Sequence, residues 1–435
     1  MSIKLLTSAD LHLGKASSSA DGIGEKNASK FTWFQMVDMA IDHGYDAIIL
    51  AGDIVEQENR YFEAVSALEK GLDKLQEYDI SVIMTAGNHD YDVLPRIIDS
   101  KEYEHVHFLG RGGKWETKIL RFKDTRVQIL GWSFPSRHHE KNPLESLDPS
   151  VVESGIITIG VVHGEFDISE SKYAPLTLAG LTDAEADVWV IGHIHKPEVF
   201  QASSPLIYYT GSPHAFSSKE PGVHGPVVLT VTDKGVEEHE WLDCSPVRYE
   251  QLVIDITELN NPDELPGELV EAQENLIRNK LELSDTLELL VLDVVFSGYV
   301  QDIHQIDEFI SHREYEDLNR ELEGVKTSIR TVSNRCEVKV SDLENLSKEN
   351  SPAGLIAKAL LDISNQNNSE FLETVREALQ DSVQSLNTHR TYIPLRNSEI
   401  ADQISVNKED LDTLLSQELN RFLSELLKTK EEVRT

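Results

Sequence analysis

The feature that most constrains the fold is an alternation of short apolar runs and amphipathic segments at the start of the chain. IKLLTSA (3–9), DAIILA (46–51) and ISVIMTA (80–86) have the length and apolar character of buried strands. Between them, residues 31–44 and 60–78 carry apolar side chains at helical spacing. Such a β-α-β-α-β run predicts parallel strands joined by right-handed crossovers.

Shorter strand candidates follow this run, with turn residues between them. They lie around residues 105–109, 117–122, 126–132, 156–163, 187–191, 206–210 and 226–232. Strands spaced this closely indicate antiparallel pairing in part of the sheet. We therefore predict a layered α/β sandwich closed by antiparallel strands rather than a simple doubly wound sheet.

The sequence pattern changes after about residue 245. Strand and helix candidates then predict a small α/β unit, and they lie at 248–256, 264–280, 287–296 and 302–322. From residue 351 onward nearly all segments are helical, and the last helix carries an apolar stripe made of Leu411, Leu414, Leu415, Leu419, Phe422, Leu423, Leu426 and Leu427. The stripe indicates packing within its own domain or docking onto a partner helix. The predicted domains are residues 1–245, 246–345 and 346–435.

The composition excludes several classes of protein. At 435 residues the chain is long enough for two or three domains with a buried core. Its two cysteines, Cys244 and Cys336, are too few for a disulfide framework or a cysteine zinc site, which fits a reducing cytoplasm. The first residues turn polar too soon for a signal peptide, and no apolar run approaches the roughly 20 residues of a membrane span. We expect a cytoplasmic protein that has no membrane partner.

The net charge of −36 is the most unusual global property of the sequence. Residues 1–245 hold 21 Lys and Arg against 38 Asp and Glu, so the excess of acidic residues is not confined to a C-terminal tail. An acidic surface opposes nucleic-acid binding, because Lys and Arg supply most of the phosphate contacts. Either a salty host cytoplasm screens this repulsion or a partner subunit holds the nucleic acid. We favour the salty host.

Polar side chains follow five of the predicted strands, at the point where each strand ends. The groups are Asp10-Leu11-His12, Gly52-Asp53, Gly87-Asn88-His89-Asp90, His163-Gly164-Glu165 and Gly192-His193-Ile194-His195. Ligands of open α/β sheets bind beyond the carboxyl ends of strands, so these groups can converge on one crevice. Residues at i and i+2 of an extended segment point the same way, which pairs Asp10 with His12 and His193 with His195.

Each group alone has a plain structural explanation. GNHD is compatible with an Asx turn, and GD is compatible with a turn before a helix. A single histidine is usually a surface residue, or a core residue whose ring nitrogens have hydrogen-bond partners. All five groups in one chain, each behind an apolar strand, favour a metal centre instead. Imidazole, carboxylate and amide ligands without thiolate suit a divalent ion, with manganese the first choice and iron or zinc the alternatives.

This order of motifs resembles the calcineurin-like metallophosphoesterases. SADLHLG (8–14), IILAGDIVEQENR (48–60) and YTGSPHAFSSKEPGVHGPVVLTV (209–231) are similar to the SbcD-type DNA repair exonucleases, especially their YhaO-like branch. The resemblance covers about residues 1–245. It implies a four-layer α/β sandwich of two mixed sheets flanked by helices, with a small α/β cap and a C-terminal helical region.

The resemblance also implies roles for the polar side chains. Two divalent metal ions would be held by Asp10, His12 and His195 on one side, by Asn88, His163 and His193 on the other, and by Asp53 between them. His89 would contact the phosphate and stabilise or protonate the leaving oxygen, with Asp90 orienting it. Two such ions activate water and clamp the scissile phosphate.

One residue departs from the family pattern. Relatives of the archaeal and eukaryotic break-repair nuclease often place a second histidine three residues after the bridging Asp, where this chain has Glu56. An anion is not a simple replacement for an imidazole. Glu56 either accepts a hydrogen bond from His89 or is solvated.

We therefore predict a two-metal DNA nuclease, acting in DNA repair with an SbcC-like coiled-coil ATPase subunit, and the family implies a homodimer. The first alternative is a phosphoesterase for nucleotides, phosphoproteins or small phosphodiesters, which the acidic surface favours. The second alternative is a binding subunit with little catalysis of its own.

Overall fold

A computed structural model describes residues 2–56, 63–168, 170–257, 259, 261–300, 303–338, 343–367, 369–388 and 408–432. Residues 57–62, which include the end of the IILAGDIVEQENR segment and the start of the predicted 60–78 helix, lie outside this part. So do residues 389–407, within the predicted C-terminal domain. Among the helices of the described part, none combines the length and hydropathy that crossing a bilayer requires.

The described strands include every strand predicted from the sequence, together with others that were not predicted. The strands are β1 (Ile3–Ser8), β2 (Ala47–Ala51), β3 (Ser81–Thr85), β4 (Val106–Phe108), β5 (Glu116–Phe122), β6 (Thr125–Trp132), β7 (Ile157–His163), β8 (Val188–Gly192), β9 (Glu198–Ala202), β10 (Leu206–Tyr209), β11 (Val227–Thr232), β12 (Gly235–Trp241), β13 (Val247–Asp255), β14 (Leu289–Val300), β15 (Glu321–Leu322) and β16 (Val325–Val338). Of these, β9, β12, β15 and β16 were not predicted. The helices are α1 (Ser29–Asp42), α2 (Glu63–Glu77), α3 (Leu94–Ser100), α4 (Leu178–Asp183), α5 (Leu265–Asn275), α6 (Ile303–Ser311), α7 (Leu343–Leu346), α8 (Pro352–Ser364), α9 (Glu370–Thr388) and α10 (Lys408–Glu432).

The first two sheets are mixed and six-stranded, in the orders β12-β11-β1-β2-β3-β4 and β5-β6-β7-β8-β10-β9. In the first sheet β1 to β4 are parallel, and β11 joins β1 antiparallel, with Ile3 opposite Val231. In the second, β6, β7, β8 and β10 are parallel, with β5 and β9 antiparallel at its two edges. The predicted pair of mixed sheets is confirmed.

Three apolar layers hold the four structural layers together. The first lies between α1, α2, α3 and the first sheet, where Trp33 and Leu72 are fully buried. The second fills the space between the two sheets, and there the Tyr208 hydroxyl and the Thr7 hydroxyl of the opposite sheet form a hydrogen bond of 2.8 Å. The third packs α4 against the outer face of the second sheet, around Trp189. The predicted four-layer sandwich is therefore confirmed.

The packing of α1 against α2 depends on a glycine. The Trp33 indole N–H donates to the Ala67 carbonyl oxygen over 3.0 Å, so the ring contacts α2 directly. A Cβ added at Gly71 would lie 2.5 Å from Cε2 and 2.6 Å from Cζ2 of Trp33. Glycine is ordinarily unfavourable inside a helix, but here it makes room for the largest side chain of the layer.

The chain divides into two compact units. One comprises Met1–Gln251, Leu276–Asp293 and Arg320–Arg330, and it contains both six-stranded sheets. The other comprises Leu252–Asn275, Val294–Asn319 and Thr331–Thr435. The domain boundaries given above stay a prediction.

The third sheet has the order β13-β14-β16-β15. It differs from the prediction in one region: the helix expected over 302–322 ends at Ser311 as α6, and Glu321–Leu322 and Val325–Val338 are strands. Alternating β-branched residues in VKTSIRTV explain the long strand β16.

The C-terminal region is helical, as predicted. Its core contains Ile356 and Leu360 of α8 and the fully buried Leu423 of α10, with Leu419, Leu426 and Leu427 packed against it. Most of the leucine stripe thus packs inside its own unit, whereas the Phe422 side chain is 57% exposed. The side chain of Leu414 lies outside the described part of the chain.

Candidate metal centre

The carboxyl ends of β1, β2 and β3 lie side by side in the first sheet, and those of β7 and β8 lie side by side in the second. Each of these five ends carries one of the polar groups predicted from the sequence. The structure brings the groups together from both sheets into one cluster.

The backbone at this cluster is unusual. Asp10, His12 and Asp53 have φ angles of 53°, 43° and 50°, and His193 has a φ of 107°. Positive φ is uncommon for residues other than glycine, and such residues collect at functional sites, where the surrounding structure enforces them. The conformations therefore point to this cluster as a functional site.

A short backbone ladder holds the first two groups in register. The amide of Asp10 donates to the Gly52 carbonyl oxygen over 3.0 Å, and the amide of His12 donates to the Asp53 carbonyl oxygen over 2.9 Å. Leu13 continues the ladder with a bond of 2.9 Å to Ile54. These bonds join the loop that carries Asp10 and His12 to the loop that carries Asp53.

Glycines precede three of the polar side chains because the chain segments approach too closely for a Cβ. A Cβ at Gly52 would lie 2.7 Å from His163 Nδ1 and 2.8 Å from the amide nitrogen of Gly87. One at Gly87 would lie 2.7 Å from the Asp53 carboxyl carbon, and one at Gly192 would lie 2.7 Å from His163 Nδ1. The sequence pattern of glycine before the ligand therefore reflects packing of the loops.

The first ligand set, a candidate metal site, consists of Asp10, His12 and His195. The Nε2 atoms of the two histidines are 3.1 Å apart, and each is 3.9 Å from Asp10 Oδ1. Asp10 is completely buried, and its Oδ2 accepts a hydrogen bond of 2.9 Å from the amide of His193. Its Oδ1 is buried and makes no hydrogen bond within the described part of the chain. A buried carboxylate oxygen without a proton donor, facing two imidazole nitrogens, fits a cation.

The second ligand set, also a candidate metal site, consists of Asp53, His163 and His193, whose nitrogen and oxygen atoms lie within 4.8 Å of one another. The amide oxygen of Asn88 is 3.1 Å from His163 Nε2. Asp53 Oδ2 lies 3.3 Å from His163 Nε2 and 3.9 Å from His12 Nε2. The carboxylate of Asp53 therefore lies between the two sets.

Burial and the neighbouring charges shift the pKa values of this set in opposite directions. Burial, reinforced by the charge of His163, lowers the pKa of His193 to about 3, which keeps this imidazole in the neutral form that binds metals. Burial also disfavours the charged form of His163, but the Asp53 carboxylate outweighs it and raises the pKa of His163 to about 9. Burial raises the pKa of Asp53, yet His163 and His12 more than offset this and hold it far below its usual range.

Two of the four histidines of the two sets have their second ring nitrogen hydrogen-bonded to an oxygen, and the second ring nitrogen of a third lies close to a carboxylate. His195 Nδ1 lies 2.8 Å from Glu220 Oε1, and His163 Nδ1 lies 2.9 Å from the Ala51 carbonyl oxygen. His12 Nδ1 lies 2.9 Å from Glu56 Oε2. Such partners fix the tautomer and orientation of metal-binding histidines. The fourth ring, His193, packs against Tyr173 with ring centroids 4.8 Å apart.

Sequence reasoning missed Glu220 and Tyr173. Glu220 lies inside the YTGSPHAFSSKEPGVHG segment, but no local feature of that segment assigns a role to its carboxylate. Tyr173 lies in a loop whose pairing with His139 could not be inferred from local pattern. Both contacts join residues that are distant in sequence.

His89 lies beside the ligand sets. Its amide donates to Asp53 Oδ1 over 2.8 Å, and its Nδ1 lies 2.8 Å from Glu56 Oε1. The His89 side chain is 33% exposed, whereas Glu56 is almost completely enclosed. Of the two alternatives for Glu56, the hydrogen bond with His89 is the one that the structure contains.

Asp90 is fully buried and supports the loops. Its Oδ1 accepts from the amide of Gly87 over 2.8 Å, and its Oδ2 accepts from the amides of Ile54 and Val55 over 2.7 and 3.3 Å. Burial and the Asp53 carboxylate raise the pKa of Asp90, while these amide donors oppose the rise. The carboxylate thus holds the backbone that carries His89, and the His89 ring is held by Glu56.

The donor set fits two divalent ions. One set would hold an ion through Asp10, His12 and His195, the other through Asn88, His163 and His193, with Asp53 shared. All donors are imidazole nitrogens and carboxylate or amide oxygens, which suit manganese, iron or zinc. The metal assignments and the catalytic roles stay predictions.

Comparison with known proteins agrees with this geometry. The family model of the calcineurin-like phosphoesterase superfamily domain matches residues 3–234. A Bacillus subtilis protein named uncharacterized metallophosphoesterase YhaO is 29% identical over 268 residues, which cover 60% of this chain and 64% of that protein. The DNA double-strand break repair protein Mre11 of Archaeoglobus fulgidus is 23% identical over 233 residues, covering 49% of this chain and 50% of that protein. The SbcD subunit of the nuclease SbcCD of Bacillus subtilis is 24% identical over 284 residues, covering 55% of this chain and 68% of that protein.

The chain thus spans between half and about two thirds of the length of the first two relatives. The family model covers more than half of this chain, and the matched residues contain all the polar strand ends described above. On that match, the chain belongs to the calcineurin-like phosphoesterase superfamily.

Proposed function

We propose that this protein hydrolyses phosphodiester bonds in DNA with the help of two divalent metal ions, manganese being the first choice. The observation that carries the proposal is the position of Asp53, whose Oδ2 lies 3.9 Å from His12 Nε2 and 3.3 Å from His163 Nε2. A carboxylate in this position can serve two ions at once. When bound, a pair of ions at such a site activates water and neutralises charge on the phosphoryl oxygens.

The protein's own residues supply the remaining steps. The partly exposed ring of His89 contacts the phosphate and donates a proton to the leaving oxygen, while its amide stays bonded to Asp53. The buried Asp90 keeps the loops of Asp53 and His89 at a fixed separation through its amide contacts. This rigidity favours the transition state, because the groups need no rearrangement during reaction.

DNA is the proposed substrate because the SADLHLG and KEPGVHG segments are similar to DNA repair exonucleases, and two relatives are named as part of a nuclease and as a break-repair protein. We further propose an SbcC-like coiled-coil ATPase as partner, a homodimer, a cytoplasmic location, and the three-domain division given above. The exposed Phe422 on the last helix is available for contact with such a partner.

A second candidate keeps the chemistry and changes the substrate to nucleotides, phosphoproteins or small phosphodiesters. The net charge of −36 favours it, since a strongly acidic surface repels a polyanion.

The test compares substrates and variants in one assay. The protein is supplied with Mn²⁺ and given linear and circular DNA, single- and double-stranded, beside a panel of small phosphodiesters. DNA cleavage by the wild type that is lost in Asp53→Asn, but kept in Asp42→Asn at the exposed end of α1, supports the proposal. Hydrolysis of small esters alone would favour the second candidate, and inactivity on every substrate would refute both.

A further inference from the structure

We propose that Glu56 is a positioning residue that couples the phosphate-facing histidine to the first metal position. Its two carboxylate oxygens hold the rings of His12 and His89, so that one side chain sets the orientation of both. This inference rests on the proposed function and assigns to Glu56 the role that links metal binding to catalysis.

The geometry places one oxygen on each ring. Glu56 Oε2 lies 2.9 Å from His12 Nδ1, and Glu56 Oε1 lies 2.8 Å from His89 Nδ1. The two rings are edge to face, with centroids 5.0 Å apart and an interplanar angle of 89°. A carboxylate has acceptor positions on both oxygens and no proton of its own when ionised, so it can receive an N–H from each ring simultaneously.

These contacts determine which ring nitrogen remains available to bind a metal ion or contact the phosphate. A Nδ1–H that donates to Glu56 leaves Nε2 as the free position of the imidazole. For His12, that Nε2 lies 3.1 Å from His195 Nε2 and 3.9 Å from Asp10 Oδ1, inside the first ligand set. For His89, the same contact turns Nε2 away from Glu56, on a ring that is one third exposed, and in its imidazolium form the ring carries on Nε2 the proton that passes to the leaving oxygen.

The carboxylate itself is held in place. The amide of Glu56 donates to the Leu13 carbonyl oxygen over 3.1 Å, at the end of the ladder that joins the His12 and Asp53 loops. Leu13 and Val55 also form a β-bridge. With the Glu56 side chain only 10% exposed, rotation toward solvent would leave both imidazoles without their acceptor.

Glu220 provides a natural comparison within the same site. Its Oε1 lies 2.8 Å from His195 Nδ1, and its Oε2 accepts from the amide of Phe216 over 2.9 Å. Glu220 therefore holds one ring of the first ligand set and Glu56 holds another, but only Glu56 also holds His89. If the proposal is correct, loss of either carboxylate weakens metal binding, and loss of Glu56 has an additional effect on turnover.

The experiment uses the full chain and the variants Glu56→Gln and Glu220→Gln, with Glu77→Gln as a control at an exposed position of α2. Glutamine keeps the shape of glutamate but offers one acceptor oxygen and an N–H₂ donor, so it can accept from only one of the two rings. Calorimetric titration with Mn²⁺ should show about 10- to 100-fold weaker binding at one site in both active-site variants, as for other partners of metal-binding histidines. The control should bind as the wild type does.

Turnover separates the two glutamates. With phosphodiester substrate and saturating Mn²⁺, we expect kcat of Glu56→Gln to stay about 100-fold below the wild type, as expected when a proton donor is misplaced. In Glu220→Gln, kcat should recover to at least ten times the Glu56→Gln value as Mn²⁺ is raised. Equal kcat in the two variants at saturating Mn²⁺ would overturn the coupling role of Glu56.

A third measurement does not depend on activity. Long-range ¹H–¹⁵N spectra of the histidine rings, recorded with Mg²⁺, report whether His12 and His89 carry their proton on Nδ1. We expect Nδ1–H for both rings in the wild type and in Glu77→Gln, and loss of this state for at least one ring in Glu56→Gln. Unchanged tautomers together with unchanged Mn²⁺ affinity would refute the proposal.

Inactivity of the wild type on all substrates would instead refute the proposed function. The Mn²⁺ titration and the tautomer spectra would then still decide the role of Glu56. Should Glu56→Gln fail to fold, Glu56→Asp, one methylene too short to reach both rings, takes its place.

Discussion

The substitution Gly71→Ala tests the packing of the helical layer on the first sheet. Helix propensity alone predicts that alanine would stabilise α2 by about 0.8–1 kcal/mol. The structure predicts the opposite sign, because the new Cβ would lie 2.5 Å from Trp33 Cε2, well inside contact distance. Overpacking a close-packed core costs about 1–3 kcal/mol, to which the strained Trp33–Ala67 hydrogen bond would add. We expect Gly71→Ala to destabilise the protein by about 1–2 kcal/mol net.

Tryptophan fluorescence during urea unfolding can measure this effect selectively. The five tryptophans all lie within residues 1–251, so the emission reports on the unit that contains the two six-stranded sheets. Gln76→Ala on the exposed face of the same helix is the control, and we expect it to change stability by about 0.5 kcal/mol at most. In a Trp33→Leu background the Gly71→Ala penalty should disappear. A Gly71→Ala protein more stable than the wild type by the full propensity difference would refute the packing argument.

Four further outcomes are expected. Chelation of divalent ions should lower the unfolding temperature of the tryptophan-containing unit, because an ion at 100 times its Kd adds about 2.7 kcal/mol of stability; an unchanged temperature would contradict the metal assignment. Gly192→Ala places a Cβ 2.7 Å from His163 Nδ1 and should weaken Mn²⁺ binding in calorimetry, whereas Gly267→Ala, with open space around it, should not. Tyr208→Phe removes the bond to Thr7 between the sheets and should cost about 0.5–1.5 kcal/mol in urea unfolding, less if water replaces the hydroxyl. If the acidic surface reflects a salty host, hydrolysis should persist as potassium chloride approaches molar levels, and collapse of activity would count against that host.

The sequence predicted the strands that build the site because they are buried on both faces and therefore continuously apolar. The end of β2 at Ala51 and of β8 at Gly192 follows directly from the change to polar residues. Two of the four edge strands of these sheets carry no such signal: the side chains of β9 and β12 are exposed or half-buried, and both strands were missed. Apolar runs therefore identify buried strands well and exposed edge strands poorly.

The candidate ligand positions were also visible in the sequence, since each lies at the end of a buried strand or within four residues after it. The supporting contacts were not. Glu220 lies 25 residues from His195 along the chain and Glu56 lies 33 residues from His89, so only the three-dimensional fold brings their side chains together. The local sequence pattern contains no information about such pairs. The structure places the carboxylates of Glu220 and Glu56 where they can accept hydrogen bonds from the histidine rings.

The left-handed backbone at Asp10, His12, Asp53 and His193 bears on any attempt to transplant this centre. Outside its native surroundings, each such residue would relax to an ordinary conformation, releasing about 1–3 kcal/mol. Short peptides copied from the motifs would accordingly lose the arrangement of donors. A minimal designed version must include both sheets and the interlocking loops, since these impose the unfavourable torsions that no local segment can sustain.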